Sequence, residues 1–296
     1  MHRFFIPSEW IDRDRVVIKG RQVHQLRDVL RLMGGDRIAV LDNTGLEYEV
    51  ELERVDRGHV SGVVRGISSV AEPRTGVTVY QALLKGSKFE FIIQKCTELG
   101  VAGFVPMLCE RCAVQEIDGV SGGKLERWRR IIVEAAEQSG RGKLPVLESV
   151  APFEQACQSA AGLSLLPWEE EKTLGLRAAL QGEINRQDIV GDRPATGHGN
   201  MMGKIPFVVS LSNHERPFDI LPQKDRANGI VEEPLSVNLF IGPEGGFTHS
   251  EVELARGCGI LPVTLGSRVL RAETAGLVAA SAVFYECGDL DPRSSD

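Results

Sequence analysis

Residues that staple, anchor or metallate a chain are scarce here. Six cysteines in 296 residues are too few for a disulfide-scaffolded secreted domain. Cys109 and Cys112 stand at C-x-x-C spacing, but no second pair follows at a zinc interval and no thioredoxin-like tryptophan precedes them. They read as buried thiols. The histidines His2, His24, His59, His198, His214 and His249 show no ligand spacing, so no metal is expected. No run approaches the ~18–20 apolar residues of a bilayer span. The opening MHRFFIPSEW reaches Pro7 and Glu9 too early for a secretory h-region. A cytoplasmic protein with no membrane partner is the expectation.

Nucleotide signatures are missing too. There is no G-x-x-x-x-G-K-[ST], no G-x-G-x-x-G after a strand, no G-x-S-x-G and no H-E-x-x-H. A P-loop enzyme, an ordinary dinucleotide fold, a nucleophile-elbow hydrolase and a zincin are all unsupported.

What is present is ordinary globular composition, 42% hydrophobic and 25% charged, at a length that suggests two domains. The net charge of −7 is uneven. Residues 1–75 carry 12 cations and 12 anions, 76–145 carry 10 and 8, and 146–296 carry 12 and 21. An acidic chain argues against bulk, sequence-blind nucleic-acid binding. Any RNA contact belongs in the first half.

The texture divides the same way. Short β-rich stretches, Arg15 to Ile18, Arg37 to Leu41, Leu46 to Leu52 and His59 to Val64, alternate with Gly/Asp/Asn turns, and Val23 to Leu32 has helical spacing. Residues 1–72 thus predict a small β-barrel, with Ser68 to Gly76 as a linker. From Val77 strands alternate with helices: Val77 to Leu84, Phe104 to Leu108, Leu163 to Leu166, Ser236 to Ile241 and Leu261 to Leu265 as strands, and Phe89 to Leu99, Lys124 to Ser139 and Ala275 to Tyr285 as helices. That pattern predicts an α/β domain over 77–296 with a mainly parallel sheet. Residues 182–234, rich in Gly, Pro and Asn, read as a partly mobile insertion, with Phe207 to Leu211 as a candidate edge strand.

Two segments concentrate chemistry. In Leu239 to Thr248 a buried strand runs into Gly242-Pro243-Glu244-Gly245-Gly246, then a helix announced by Thr248 with Glu251 three residues on, a capping box. Glycines there let the backbone approach a ligand, at the strand end where open α/β sheets bind. A plain Gly-rich connector is the equal alternative. In Leu265 to Ala275, Arg268, Arg271 and Glu273 are confined to a second loop expected beside the first, with Thr274 as a candidate N-cap. Charges between core-like segments need partners in the protein or in a ligand; a solvated turn is the bland reading.

With IGPEGGF and LGSRVLRAETA in this order, the sequence resembles the RsmE family of 16S ribosomal RNA uridine-N3 methyltransferases, within the SPOUT class. Arg3-Phe4-Phe5, Lys95 to Val101, Glu110-Arg111 and Trp128 to Arg141 also match the family pattern, so the resemblance covers most of the chain outside about 180–235. Ser267 departs from a frequent proline, and the long segment before the GPEGG strand is unusual.

The resemblance implies an α/β trefoil-knot methyltransferase domain after a PUA-like β-barrel, S-adenosylmethionine as cofactor, 16S rRNA or the small ribosomal subunit as partner, and a homodimer. It places the cofactor against Leu166, Ile241, Gly242, Pro243, Glu244, Gly245, Gly246, Leu265, Gly266, Val269, Leu270 and Thr274. Arg271 becomes the candidate for stabilising a uridine anion, oriented by Glu273, with Arg268 as the alternative. RNA would be met by Arg3, Arg13, Arg15, Arg27 and Arg31, and further along by Lys88, Arg111, Arg129 and Arg141. Two rivals stay open: a non-enzymatic RNA-binding assembly protein, and a related knotted methyltransferase acting on another RNA site.

Overall fold

The computed structural model describes residues 1–113, 122–191 and 235–291. Strands β1 (His2–Phe5), β2 (Ile11–Asp12) and β3 (Arg15–Lys19) are followed by a short helix α1 (Arg21–His24), then β4 (Arg37–Leu41), β5 (Leu46–Val55) and β6 (His59–Ser69). These six strands form one sheet in the order β1-β4-β5-β6-β3-β2. Alternation of apolar and polar residues drives it: Val16 and Ile18, Ile38 and Val40, and Val50 and Leu52 share one buried cluster with Phe4.

The second sheet is wholly parallel. It comprises β7 (Gly76–Ala82), β8 (Gly103–Leu108), the two-residue strands β9 (Val146–Leu147) and β10 (Ala151–Pro152), β11 (Leu163–Pro167), β12 (Ser236–Ile241) and β13 (Leu261–Val263). Its order is β10-β8-β7-β12-β11-β13, with β9 also on β8. The helices are α2 (Lys88–Leu99), α3 (Gly122–Ser139), α4 (Phe153–Ser159), α5 (Leu176–Gly191), α6 (His249–Gly257) and α7 (Ala272–Glu286). Side chains alternate across β7 and β12, which explains the two faces. Tyr80 stacks on Phe240 at 4.3 Å and Phe153 of α4 meets Phe240 edge-on. The next residues, Gln81 and Ile241, lie against Gly276 of α7 on the other side.

One buried ion pair ties the two parts together. Arg141, just past α3, donates to Glu72 Oε2 from Nη2 (2.7 Å) and to the carbonyls of Val101 (2.5 Å) and Thr97 (3.3 Å). Glu72 also accepts from the Gly142 and Lys143 amides. Arg141 is therefore a structural arginine; its expected place on an RNA surface is corrected by its burial.

Other expectations are corrected as well. The helix read over Val23–Leu32 is the four-residue α1 followed by a π-helical turn at Gln25–Val29. Strand β6 runs through Ser69, so the first residues of the expected linker are paired with β5. Residues 182–191 continue α5 rather than opening an irregular insertion. The remainder of that segment, Phe207 to Leu211 included, lies outside the described residues. Strand β13 ends at Val263, and α7 takes Arg271 as N-cap with no side-chain cap bond, which places Thr274 inside the first turn.

Candidate active site

The carboxyl ends of β7, β8, β11, β12 and β13 point the same way because the sheet is parallel, and the loops that follow them gather there. The GPEGG turn leaves β12. Its Gly246 sits at φ 68°, and a Cβ there would fall 2.6 Å from Glu169 Oε1. Gly246 N–H donates to Pro243 O (3.0 Å), closing the turn. Glu244 Oε1 accepts from the Lys85 amide (3.2 Å) and from Lys88 Nζ (3.0 Å). Arg111 Nη1 donates to Gly245 O (2.9 Å).

Behind the turn stands the expected capping box. Glu251 N–H donates to Thr248 Oγ1 (3.2 Å) and Thr248 N–H donates to Glu251 Oε2 (2.8 Å). The buried Glu251 carboxylate also accepts from the Glu110 amide (2.8 Å) through Oε1, and Thr248 Oγ1 donates to Glu110 Oε2 (3.0 Å). The loop after β8 and the loop after β12 are thus one hydrogen-bonded unit.

The segment after β13 is built differently. Gly266 (φ 111°) and the Thr264 hydroxyl exchange two 3.2 Å bonds. Arg268 and Arg271 are exposed, neither forms an ion pair among the described residues, and Val269 is 83% exposed. Of the two readings, partners in the protein or a ligand against a solvated turn, the chain alone shows the solvated turn: among the described residues no protein group pairs with either arginine, and the flanking segment faces solvent. Nor does an ion pair join Arg271 to Glu273, whose Oε2 is buried without a partner. The two key loops do not leave neighbouring strands, since β11 lies between β12 and β13. The helix that follows the 264–271 segment, α7, turns back across the sheet onto the ends of β7 and β12, where a Cβ on Gly276 would stand 3.6 Å from Ile241 and 3.4 Å from Gln81 Oε1.

Of the other expected cofactor contacts, Leu166, Ile241 and Pro243 are buried, while Gly242, Gly246, Leu265 and Leu270 are half-buried. Glu244, Gly245 and Thr274 are exposed. Among the expected RNA cations, Arg3 pairs with Glu47 and Arg27 with Asp28, each arginine half-buried, while Arg15 pairs with Glu53 and Arg129 with Glu126 at the surface. Arg13 and Arg31 are exposed on left-handed backbone.

Sequence reasoning overlooked Trp168, Glu169 and Gln81, while Cys109 and Cys112 are the buried thiols it expected. Trp168 and Glu169 follow Leu166 out of β11, and Glu169 walls the Gly246 turn; the apolar strand before them was the available signal. Gln81 is fully buried with Oε1 unpartnered, a polar residue in an apolar strand. The thiols of Cys109 and Cys112 are buried in contact, Cys109 N–H donating to Cys112 Sγ (3.2 Å). The hydrogen bond from Cys112 and burial both push the Cys109 thiol far up.

A parallel α/β domain with glycine-rich turns at its strand ends defines the class: residues 71–190 and 207–284 match the RNA methyltransferase domain family. The similarity to curated relatives spans most of this chain. The ribosomal RNA small subunit methyltransferase E of Bacillus subtilis is 32% identical over 292 residues, covering 97% of each chain. That of Synechocystis is 33% identical over 282 residues, covering 95% of this chain and 77% of its own. The structure of a Legionella pneumophila methyltransferase with bound S-adenosylmethionine superposes with TM-score 0.71 at 27% identity over 96% of both chains. The chain belongs to the ribosomal RNA small subunit methyltransferase E family.

Proposed function

We propose that this chain transfers a methyl group from S-adenosylmethionine to N3 of a specific uridine in 16S ribosomal RNA. The observation that carries the reading is membership of this family by a chain whose parallel sheet sends β12 into the GPEGG turn and β13 into the 264–271 segment, both at the same end of the sheet. The residues suit the cofactor. Gly246 and Gly266 hold positive φ, the turn at Gly242 and Gly246 is packed so closely on Phe247 and Glu169 that a Cβ would lie 3.1 Å and 2.6 Å from them, and backbone groups of Leu265, Gly266, Val269 and Leu270 are the expected contacts on the exposed side. S-adenosylmethionine, when bound, supplies an activated methyl on its sulfonium.

The chain's own task is positioning and charge stabilisation. The uridine imide is a poor nucleophile until its N3 proton leaves. Arg271, with no ion pair of its own, is available to meet the ring oxygens and favour the anion, and Arg268 stands three residues away as the alternative. Glu273 offers a buried acceptor in the first turn of α7 rather than a salt bridge to Arg271.

Finer features belong to the same reading. Trp168 N–H donates to Val263 O, Thr264 N–H to Leu174 O and Leu176 N–H to Thr264 O, so the 168–176 segment wraps the chain leaving β13 before α7 returns. This supports a trefoil-knot path of SPOUT type. The six-stranded sheet of residues 2–69 supports a PUA-like RNA-binding module over 1–72, followed by the methyltransferase domain over 77–296. An apolar groove of about 380 Å³ between α5, α7 and Thr264–Gly266 supports a homodimer. Cytoplasmic action on the small subunit completes the proposal.

The test uses purified protein, isotopically labelled methyl donor and small subunits from cells lacking this protein, followed by mapping of the modified nucleotide. Label on uridine N3 of 16S rRNA is expected. Label on another base sinks the uridine assignment. Absence of both transfer and calorimetric donor binding leaves the non-enzymatic reading.

A further inference from the structure

One pair of residues stands at the edge of the site without a part in it, Cys109 and Cys112. Both are buried, on the turn that follows β8. Cys112 N–H donates to Cys109 O (3.1 Å), which closes the turn, and Cys109 N–H donates to Cys112 Sγ (3.2 Å). A turn of this kind holds its end Cα atoms within about 7 Å, and a disulfide spans about 4.4–6.8 Å between Cα atoms. The two side chains are already hydrogen-bonded to each other. Bridging them therefore takes side-chain rotation and a tightened turn, with β8 left in place.

The two residues between the cysteines are the ones that hold the GPEGG turn. Glu110 N–H donates to Glu251 Oε1 (2.8 Å), and Glu110 Oε2 accepts from Thr248 Oγ1 (3.0 Å). Arg111 Nη1 donates to Gly245 O (2.9 Å), and its stem packs so closely that a Cβ on Gly245 would lie 3.1 Å from Arg111 Cβ. The two thiols also differ. Cys112 is held below the usual thiol range, first by its bond with the Cys109 thiol and, against burial, by the amides of Cys109 and Leu83. The same bond keeps Cys109 protonated. A sulfur inclined to the thiolate, with a second thiol in reach, is the arrangement of a pair that oxidises in two steps.

We propose that Cys109 and Cys112 form a redox switch, whose disulfide displaces Glu110 and Arg111, loosens the GPEGG turn and weakens binding of the methyl donor. The effect on donor binding rests on the methyltransferase reading of that turn. The oxidant is hydrogen peroxide, small enough to reach an enclosed sulfur. The Cys112 thiolate attacks one peroxide oxygen and the O–O bond breaks. A sulfenic acid forms, and the departing hydroxide takes a proton from solvent to leave as water. Cys109 then gives up its proton and its sulfur attacks Cys112 Sγ. The S–O bond breaks, and the hydroxide released takes that proton to become the second water. Two thiols and one peroxide thus give one disulfide and two waters; the sulfurs lose two electrons and the peroxide gains them. A small dithiol reverses the change by exchange.

The experiment treats the full chain with hydrogen peroxide, maps its peptides by mass, and measures S-adenosylmethionine binding by calorimetry before and after dithiothreitol. A 109–112 bridge is expected, with donor affinity falling about tenfold, a typical coupling between linked sites, and returning on reduction. By reciprocity, saturating donor should move the dithiol–disulfide midpoint about 30 mV toward easier reduction, the same tenfold for two electrons. Amide hydrogen exchange over residues 242–248 should quicken in the bridged form, a readout that needs no donor. Cys258→Ser, which removes an exposed thiol, should respond as the unaltered chain does. Cys112→Ala, lacking the attacking sulfur, should keep through peroxide whatever donor affinity it has; the readouts on the unaltered chain stand even if this variant misfolds. The proposal is overturned if peroxide leaves the pair unbridged, if the bridged chain keeps the donor affinity or the exchange of the reduced one, or if a folded Cys112→Ala loses affinity as the unaltered chain does. A reduced chain that binds no donor would strike the activity reading instead, and amide exchange would then judge the switch.

Discussion

The two loops that frame the candidate site are built on opposite principles. The GPEGG turn is braced on every side: Lys88 and the Lys85 amide hold Glu244, Arg111 holds the Gly245 carbonyl, and Thr248, Glu251 and Glu110 close a buried network behind it. The 264–271 segment has a local Thr264–Gly266 clasp, then exposes Arg268, Val269 and Arg271. A scaffold loop holds its shape whether or not a ligand is present. A loop whose charges have no partner within the protein contributes little to folding and is available to a ligand, a substrate or a second subunit.

The sharpest way to break this contrast is Arg271→Ala. Removing an exposed, unpaired guanidinium should leave the melting temperature and donor affinity close to wild type. Turnover on small-subunit RNA should fall roughly 100-fold or more, the usual cost of losing one electrostatic stabiliser of a developing anion. A variant that melts early, or one that turns over normally, would show that the segment is scaffold after all.

The braced loop should answer in stability instead. Glu251→Ala strands the amides of Thr248 and Glu110 without their acceptor in a buried setting. Each such group costs ~1–3 kcal/mol, so denaturant midpoints should drop clearly. Glu251→Gln retains one carbonyl oxygen and should cost less. An unchanged midpoint for the alanine variant would mean that water replaces the carboxylate and the network is dispensable.

Gly246→Ala and Gly266→Ala compare the two loops directly. Both glycines hold positive φ, so each substitution carries ~1–2 kcal/mol of backbone strain. At Gly246 the new methyl also meets Glu169 at 2.6 Å, whereas at Gly266 nothing lies within 4 Å. The expected outcome is a larger loss of stability at Gly246, with donor affinity reduced at both. Equal melting temperatures would remove the distinction.

How much of this was legible in the sequence follows from how local each cause is. The capping box at Thr248 and Glu251 is a three-residue rule, and it holds. The helix expected over Phe89 to Leu99 ends on Gly100, which takes φ 114° at the C-cap of α2. Strand β12 matches its expected span of Ser236 to Ile241 because an uncharged apolar run fits a strand covered on both faces. What required the fold was illegible. Four residues of β1 find a parallel partner in β4, too short a run to show periodicity. Arg141 looked like a surface cation beside α3, yet Glu72, 69 positions away, draws it inside. The return of α7 over Ile241 is a matter of tertiary packing, and no local pattern encodes it.

The smallest expected effect tests where the bracing resides. Lys88 was expected on an RNA track, but its ammonium lies 3.0 Å from Glu244 Oε1 with both side chains partly exposed. Burial pushes the Glu244 carboxyl upward, but the bonds from Lys88 and from the Lys85 amide outweigh it and hold the carboxyl below its ordinary range. The folded state therefore favours the ionised form. The pair's contribution is complete above the ordinary carboxylate pKa and disappears as pH falls through the lowered value. An exposed pair of this kind contributes about 0–1 kcal/mol and is screened by salt. Lys88→Gln should thus lower the melting temperature slightly at neutral pH and low salt, with the difference vanishing in 1 M salt and below the carboxylate range. A large loss that persists under both conditions would mean that the surface pair, rather than the buried Thr248–Glu251–Glu110 network, holds the turn in place.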